Sequence, residues 1–214
     1  MCEQTLASAA GVALLERAID YAVGSLRIVT TAALCRATPC ADWNLQRLLD
    51  HLADSLQTLN DAATGHVLPP PSRIGHVFPP PVDEVSRGAC HNPALHLRDG
   101  ATEVLALWTG TLASNRTAGT PPGNELIAIA GHHLTSPVVA AVGAIEIAVH
   151  GWDVARSCGE HRPIPSLMAD ELLDLAQLFV TGDDRPHRFA PRVTVSPHAP
   201  AEDRLLAYLG RDPN

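Results

Sequence analysis

Apolar residues recur every three or four positions over much of this chain, the spacing of helices that turn one face inward. From about residue 6 to residue 34 (LASAAGVALLERAIDYAVGSLRIVTTAAL) the pattern is unbroken and predicts one long amphipathic helix. A second helix is predicted from about Trp43 to Ala63, with Leu45, Leu48, Leu49, Leu52, Leu56 and Leu59 on its inner side. Asp42 is placed to cap it, because its carboxylate can accept from the free amides of the first turn. Further helices are predicted over about 93–115, Val138–Ser157 and Leu167–Val180, the last capped by Ser166, with a final turn or two over Asp203–Leu209. Leu126–Ser136 is ambiguous, and 189–197 (FAPRVTVSP) alternates enough for a short strand or extended arm.

Residues 64–92 interrupt the periodicity. Gly65-His66-Val67-Leu68-Pro69-Pro70-Pro71 is echoed ten residues later by Gly75-His76-Val77-Phe78-Pro79-Pro80-Pro81. Triple prolines favour stiff polyproline II and exclude helix interior and central strand. A loop of this length serves either as a rigid surface connector or as a lid over a site. The whole reads as an all-α protein: a four-helix core with an extra helix and a short extended C-terminal segment, one domain over 1–214 with 189–214 as an arm.

Composition narrows the function. Of 214 residues, 46% are apolar, an ordinary globular proportion. With 15 Lys and Arg against 23 Asp and Glu the formal charge is -8, which argues against a nucleic-acid partner. The richest apolar stretches carry charges, so no membrane span is expected. Glu3 and Glu16 spoil a leader-peptide reading, and a cytoplasmic protein is expected. Cys2, Cys35, Cys40, Cys90 and Cys158 form no Cys-x-x-Cys pair, so reduced thiols are expected. Cys40 stands out for lying beside a predicted helix start.

The fourth core helix carries the chemistry. Glu146 and His150, four apart, share one face, and Asp153 follows three positions on. Glu-x-x-x-His alone equally serves a surface hydrogen bond. Here, however, Ala141, Val142, Ala144, Ile145, Ile147, Ala148 and Val149 make the helix apolar nearly all round, and such helices are buried. A buried ionised glutamate needs a partner, and a divalent metal is an adequate one. His51, between Leu49 and Leu52, is a second supplier; taken alone it is an ordinary core or boundary histidine. His132-His133 is the rival pair.

Thr38-Pro39-Cys40-Ala41-Asp42-Trp43, then Leu48-Leu49-Asp50-His51, then Glu146 to Asp153 with Ala155-Arg156 resemble the hallmark segments of the mycothiol-dependent maleylpyruvate isomerase N-terminal domain family. That family belongs to the DinB-like group of metal-binding four-helix bundles. The ending Asp203-Arg204-Leu205-Leu206-Ala207-Tyr208-Leu209-Gly210-Arg211-Asp212-Pro213 resembles that of an actinobacterial branch of largely uncharacterised members. The resemblance spans nearly the whole chain and implies His51, Glu146 and His150 as metal ligands. It implies Asp153 as a group that fixes a ligand imidazole, and core packing for Trp43 and Trp152. The separate C-terminal domain of the isomerase is expected to be absent, so thiol-cofactor contacts made there do not transfer.

Three protein ligands leave a position open on zinc, nickel or another divalent ion, and open sites are the catalytic kind. The first expectation is a metal-dependent S-transferase or isomerase that uses mycothiol or a similar thiol on a small electrophilic substrate. A thiol-independent hydrolase, lyase or cyclase is the second, and a metal-stabilised binding module without catalysis is the third. A thiol cofactor calls for nearby cations; Arg73, Arg87, Arg98 and Arg156 are available, with Arg156 the candidate cofactor-binding residue. The apolar fifth helix could pack internally or serve a homodimer.

Overall fold

The computed structural model describes residues 2–40, 42–64, 93–118, 126–129, 132–186 and 188–214, except for the side chains of 2–8, 112–118, 126, 128, 129 and 132. It is all-α with one small pair of strands. The order is α1 (Cys2–Leu26), a 3-10 turn (Thr31–Ala33), α2 (Leu45–Ala63), α3 (Pro93–Ala118), β1 (Leu126–Ile129), β2 (His132–Thr135), α4 (Ser136–Ser157), α5 (Ser166–Phe179) and α6 (Ala201–Tyr208). The Pro-rich 64–92 segment lies outside the described residues from residue 65 onward.

Helices α1 to α4 form the core. α4 lies against both α1 and α2, and α3 closes the bundle against α1 and α2. The inner side of α2 is as the spacing predicts: Leu45, Leu48, Leu49, Leu52, Leu56 and Leu59 are all buried. Each such leucine contributes about 1.5–3 kcal/mol of transfer free energy. Trp108 of α3 donates its indole N–H to the Leu59 carbonyl at 3.1 Å, satisfying the one polar atom of a buried ring.

α4 is buried, as its apolar character nearly all round predicts. At 22 residues and a mean hydropathy of 1.5 it is long and apolar enough to cross a bilayer, yet 83% of that window is buried inside the protein. Its apolar surface faces neighbouring helices. It ends at Ser157, and two residues on Gly159, with a φ of 82°, lets the chain turn back. There Gly159 N–H donates to the Arg156 carbonyl and Glu160 N–H to the Ala155 carbonyl, both at 3.0 Å, so carbonyls left by the helix end are satisfied.

Four local expectations change. The first helix stops at Leu26, where Ile28 and Val29 make i−3 bonds and the chain passes into the 3-10 turn. The run Ile28-Val29-Thr30-Thr31 explains the break, because β-branched side chains lose rotamer freedom against a preceding helical turn. The cap of α2 is Asn44, which accepts from the Arg47 amide at 3.0 Å; Asp42 instead takes a φ of 65° in the turn before it. α5 starts at Ser166 itself, with Pro165 in the cap position and no side-chain bond. Leu126–Ile129 and His132–Thr135 pair as the antiparallel strands β1 and β2, with Ile127 opposite Leu134.

Of the two readings of 189–197, the extended arm is the one the chain adopts. Among the described residues it pairs with no strand, and its backbone bond to α6 runs from the Val193 amide to the Ala207 carbonyl at 2.9 Å. α5 buries Met168, Ala169, Leu172, Leu173 and Ala176 against α4 and α6, while Leu167 and Leu178 stay 75% and 71% exposed.

Candidate metal centre

Three segments far apart in sequence meet along the C-terminal half of α4. On α4, Glu146, His150 and Asp153 follow each other at four- and three-residue steps along one face, as helix geometry requires. On α2, His51 and Ser55 are one turn apart and point at the same spot. Between them runs the tight loop before α2. Thr38 N–H donates to the Trp43 carbonyl at 3.1 Å and Trp43 N–H to the Cys40 carbonyl at 3.2 Å, which folds Cys40 and Trp43 over the helix ends.

His51 Nε2 lies 2.5 Å from Glu146 Oε1, and His150 Nε2 lies 3.2 Å from the same oxygen. Ser55 donates its hydroxyl to that oxygen at 3.3 Å. The donor atoms of His51, Glu146 and His150 all fall within 4.8 Å of one another. Ligand atoms bonded tetrahedrally to one zinc stand roughly 3.3 Å apart, so two imidazoles and a carboxylate in this arrangement fit such an ion with small adjustment. His51 keeps 35% of its side-chain surface and Glu146 keeps 30%, against 7% for His150. The site is therefore open on the His51–Glu146 side and closed behind His150.

Behind His150 the arrangement is polar and buried. Its Nδ1 lies 2.8 Å from Asp153 Oδ2, a carboxylate with no exposed surface. Accepting at Oδ2 holds a ring proton on Nδ1, so Nε2, which faces Glu146 and His51, is the nitrogen that would give up its proton to a metal. Burial alone would push the Glu146 carboxyl up, but the His150 charge and hydrogen bonds from both imidazoles hold it well below the usual carboxylate range. Burial would likewise lower His150, and the Glu146 charge together with the bond to Asp153 raises it well above the usual imidazole value. Asp153 is kept ionised, its burial offset by the Arg211 guanidinium and by His150.

Two residues missed by sequence reasoning stand here. Arg211, 8% exposed, donates from Nη2 to Asp153 Oδ2 at 3.0 Å and to Cys40 Sγ at 3.2 Å. Gly210 delivers it: its φ is 81°, its N–H donates to the Ala207 carbonyl at 3.1 Å, and Arg211 N–H donates to the Leu206 carbonyl at 2.8 Å. The glycine after a final helical turn was a local signal for that reversal. Ser55, one turn beyond His51, could have been found by the same face rule.

Trp43, expected in the core, is half-buried, its ring edge-on to His51 at 5.0 Å and stacked at 6.4 Å on His150. It forms a wall of the site, with the Arg47 guanidinium 5.0 Å above it. Trp152 is buried in the core cluster. Arg156 lies over the Trp152 ring at 5.5 Å and donates to the Asn214 carbonyl at 2.8 Å, so its bonds tie down the C-terminus. His133 is exposed on β2 and joins no metal-competent cluster among the described residues; Arg73 and Arg87 lie outside them. A cavity of about 290 Å³ between α2 and α3, lined by Asp50, Gln57, Asn60, His96 and Glu103 among others, includes none of the cluster residues.

Residues 15–155 match the mycothiol maleylpyruvate isomerase N-terminal domain, a span that holds α2, α3, all but the last two residues of α4 and all three donor residues. The chain belongs to this family. Two uncharacterized proteins from two strains of Mycobacterium tuberculosis are each 25% identical over 201 residues, covering 92% of this chain and 94% of their own. These relatives place it in an actinobacterial, largely uncharacterised branch of the DinB-like group. No solved structure matches.

Proposed function

We propose that His51, Glu146 and His150 hold a divalent metal, zinc by preference, and that the chain is a metal-dependent enzyme. Its reaction is the transfer or addition of a low-molecular-weight thiol of the mycothiol type on a small electrophilic substrate, with isomerisation as one outcome. The observation that carries the metal reading is the pairing of a three-donor cluster with the Asp153 bond behind it. A nitrogen-and-oxygen donor set of this kind suits zinc and related ions. The thiol comes from the family name, and the Arg47 guanidinium over Trp43 supplies a cation beside the open side for an anionic part of cofactor or substrate.

The chain's own residues divide the work. Asp153 orients His150 and keeps its Nδ1 protonated. Ser55 occupies a lone pair of Glu146, which directs the carboxylate. Trp43 shields the flank of both imidazoles from water. When bound, a divalent ion with an open position lowers the pKa of a thiol or water placed there and polarises a substrate carbonyl.

Elemental analysis of the purified protein tests the first part. About one metal equivalent per chain is expected, falling at least tenfold in His51→Ala and in Glu146→Gln. Unchanged metal content in His51→Ala would sink the ligand set. Calorimetry with mycothiol tests the second part: heat is expected from the metal-loaded protein and not from the stripped one. A loaded protein that gives no heat removes the thiol and leaves the metal.

A further inference from the structure

A second set of donors lies back to back with the first. Cys40 Sγ, His150 Nδ1 and Asp153 Oδ2 are also within 4.8 Å of one another, so thiol, imidazole and carboxylate would by composition suit zinc at least as well as the open cluster. His150 belongs to both, through Nε2 on one side and Nδ1 on the other. Two observations show what distinguishes the inner set. It is the more enclosed, with Asp153 wholly buried, and one carboxylate oxygen, Asp153 Oδ1, has no hydrogen-bond partner among the described residues. It also already holds a cation: Arg211 Nη2 bonds both Asp153 Oδ2 and Cys40 Sγ.

We propose that Arg211 is the resident cation of the Cys40–His150–Asp153 cluster and keeps a divalent ion out of it. An ion bonded to Sγ and Oδ2 would have to displace the guanidinium from both, leaving a buried arginine without its counter-ion. Such an uncompensated buried charge is costly. With Arg211 in place, Asp153 is neutralised without losing its bond to His150 Nδ1, and His150 can offer metal only Nε2. Arg211 thus acts as a positioning residue that selects the open, His51-side cluster. Without it, the inner cluster would accept an ion: the Cys40 thiol proton and the His150 Nδ1 proton would pass to solvent as sulfur and nitrogen bond, leaving His150 as an imidazolate shared by the two ions.

The role given to Arg211 rests on the reading of His51, Glu146 and His150 as ligands, and a cobalt(II) titration separates the two. Metal-stripped wild type should take one equivalent of cobalt(II) and show no thiolate-to-cobalt charge-transfer absorption, even with cobalt in excess. Arg211→Gln should bind a second equivalent and acquire that absorption. Arg211→Lys, which keeps the charge, should behave as wild type. Adding Cys40→Ser to Arg211→Gln should abolish the absorption. A thiolate band in the wild type overturns the role of Arg211 and needs no variant to fold. So does an Arg211→Gln protein that takes one equivalent with no such band, while leaving the His51 site intact. Should the wild type bind no cobalt while Arg211→Gln binds one equivalent with the band, the open cluster fails as a metal site and the exclusion by Arg211 stands.

Discussion

The residues around His150 are held by charges that cannot be removed singly without cost. Asp153 has no exposed surface and serves both His150 and Arg211 through one oxygen. Replacing it with asparagine keeps the volume but leaves Arg211 as a buried, unpaired cation. Breaking a buried pair in this way costs about 3–5 kcal/mol. Asp153→Asn should therefore lower stability by about 3 kcal/mol in chemical denaturation. A loss under 1 kcal/mol would mean that Arg211 finds other partners. Glu146 differs from Asp153 because nearly a third of its side chain reaches solvent. Its loss should be felt more in metal retention than in folding. The pair Glu146 and His150 was legible from helical spacing and an apolar helix alone. His51 was not, since a single histidine among leucines has an ordinary structural use; the family resemblance singled it out.

At the scale of elements, the helices follow from apolar periodicity and their ends from chemistry that is harder to read. Asn44, not Asp42, caps α2, although both are good capping residues two positions apart. The choice is made by the loop: Ala37 and Asn44 form a bridge, and Leu45 N–H donates to the Arg36 carbonyl at 2.9 Å, which puts Asn44 at the helix mouth. Asn44→Ala should cost about 1 kcal/mol. Asp42→Gly should be neutral or slightly stabilising, because a positive φ suits glycine. Thermal melts of the two variants check this, and a larger loss in Asp42→Gly would restore Asp42 as the cap. The end of α1 was misplaced, and the strands β1 and β2 were left undecided, for a related reason. Short apolar runs fit helix and strand equally well, and the neighbours they pack against decide.

Across the whole molecule, the C-terminal arm is what completes the site. Tyr208 donates to the Val180 carbonyl at 2.8 Å and accepts from Arg192 at 2.9 Å, and Arg185 donates to the carbonyls of Ala190 and Tyr208. These bonds fasten α6 beside the end of α5, and the turn at Gly210 then aims Arg211 into the cluster. A Cβ at Gly210 would stand 2.7 Å from the Ala190 carbonyl oxygen, in a backbone conformation side chains rarely adopt. Gly210→Ala should cost about 1–2 kcal/mol and shift the metal-binding properties of the cluster with it. Denaturation with a parallel cobalt titration reads both effects, and a stable variant with unchanged cobalt spectra would show that the turn has room to adjust.

By itself the sequence determined the helices that carry the core, the buried character of α4 and the convergence of Glu146 with His150. Each depends on spacings of three or four residues that any helix converts into a shared face. Only the tertiary structure decided that Cys40, Trp43 and Arg211 stand at the same centre. Cys40 and Arg211 are 171 residues apart, and no local pattern encodes a meeting set by the packing of α2 on α4 and the path of the arm. The physical reason is one of range. Backbone hydrogen bonds and side-chain periodicity act over a few residues, whereas the cation in the inner cluster is delivered by the whole chain.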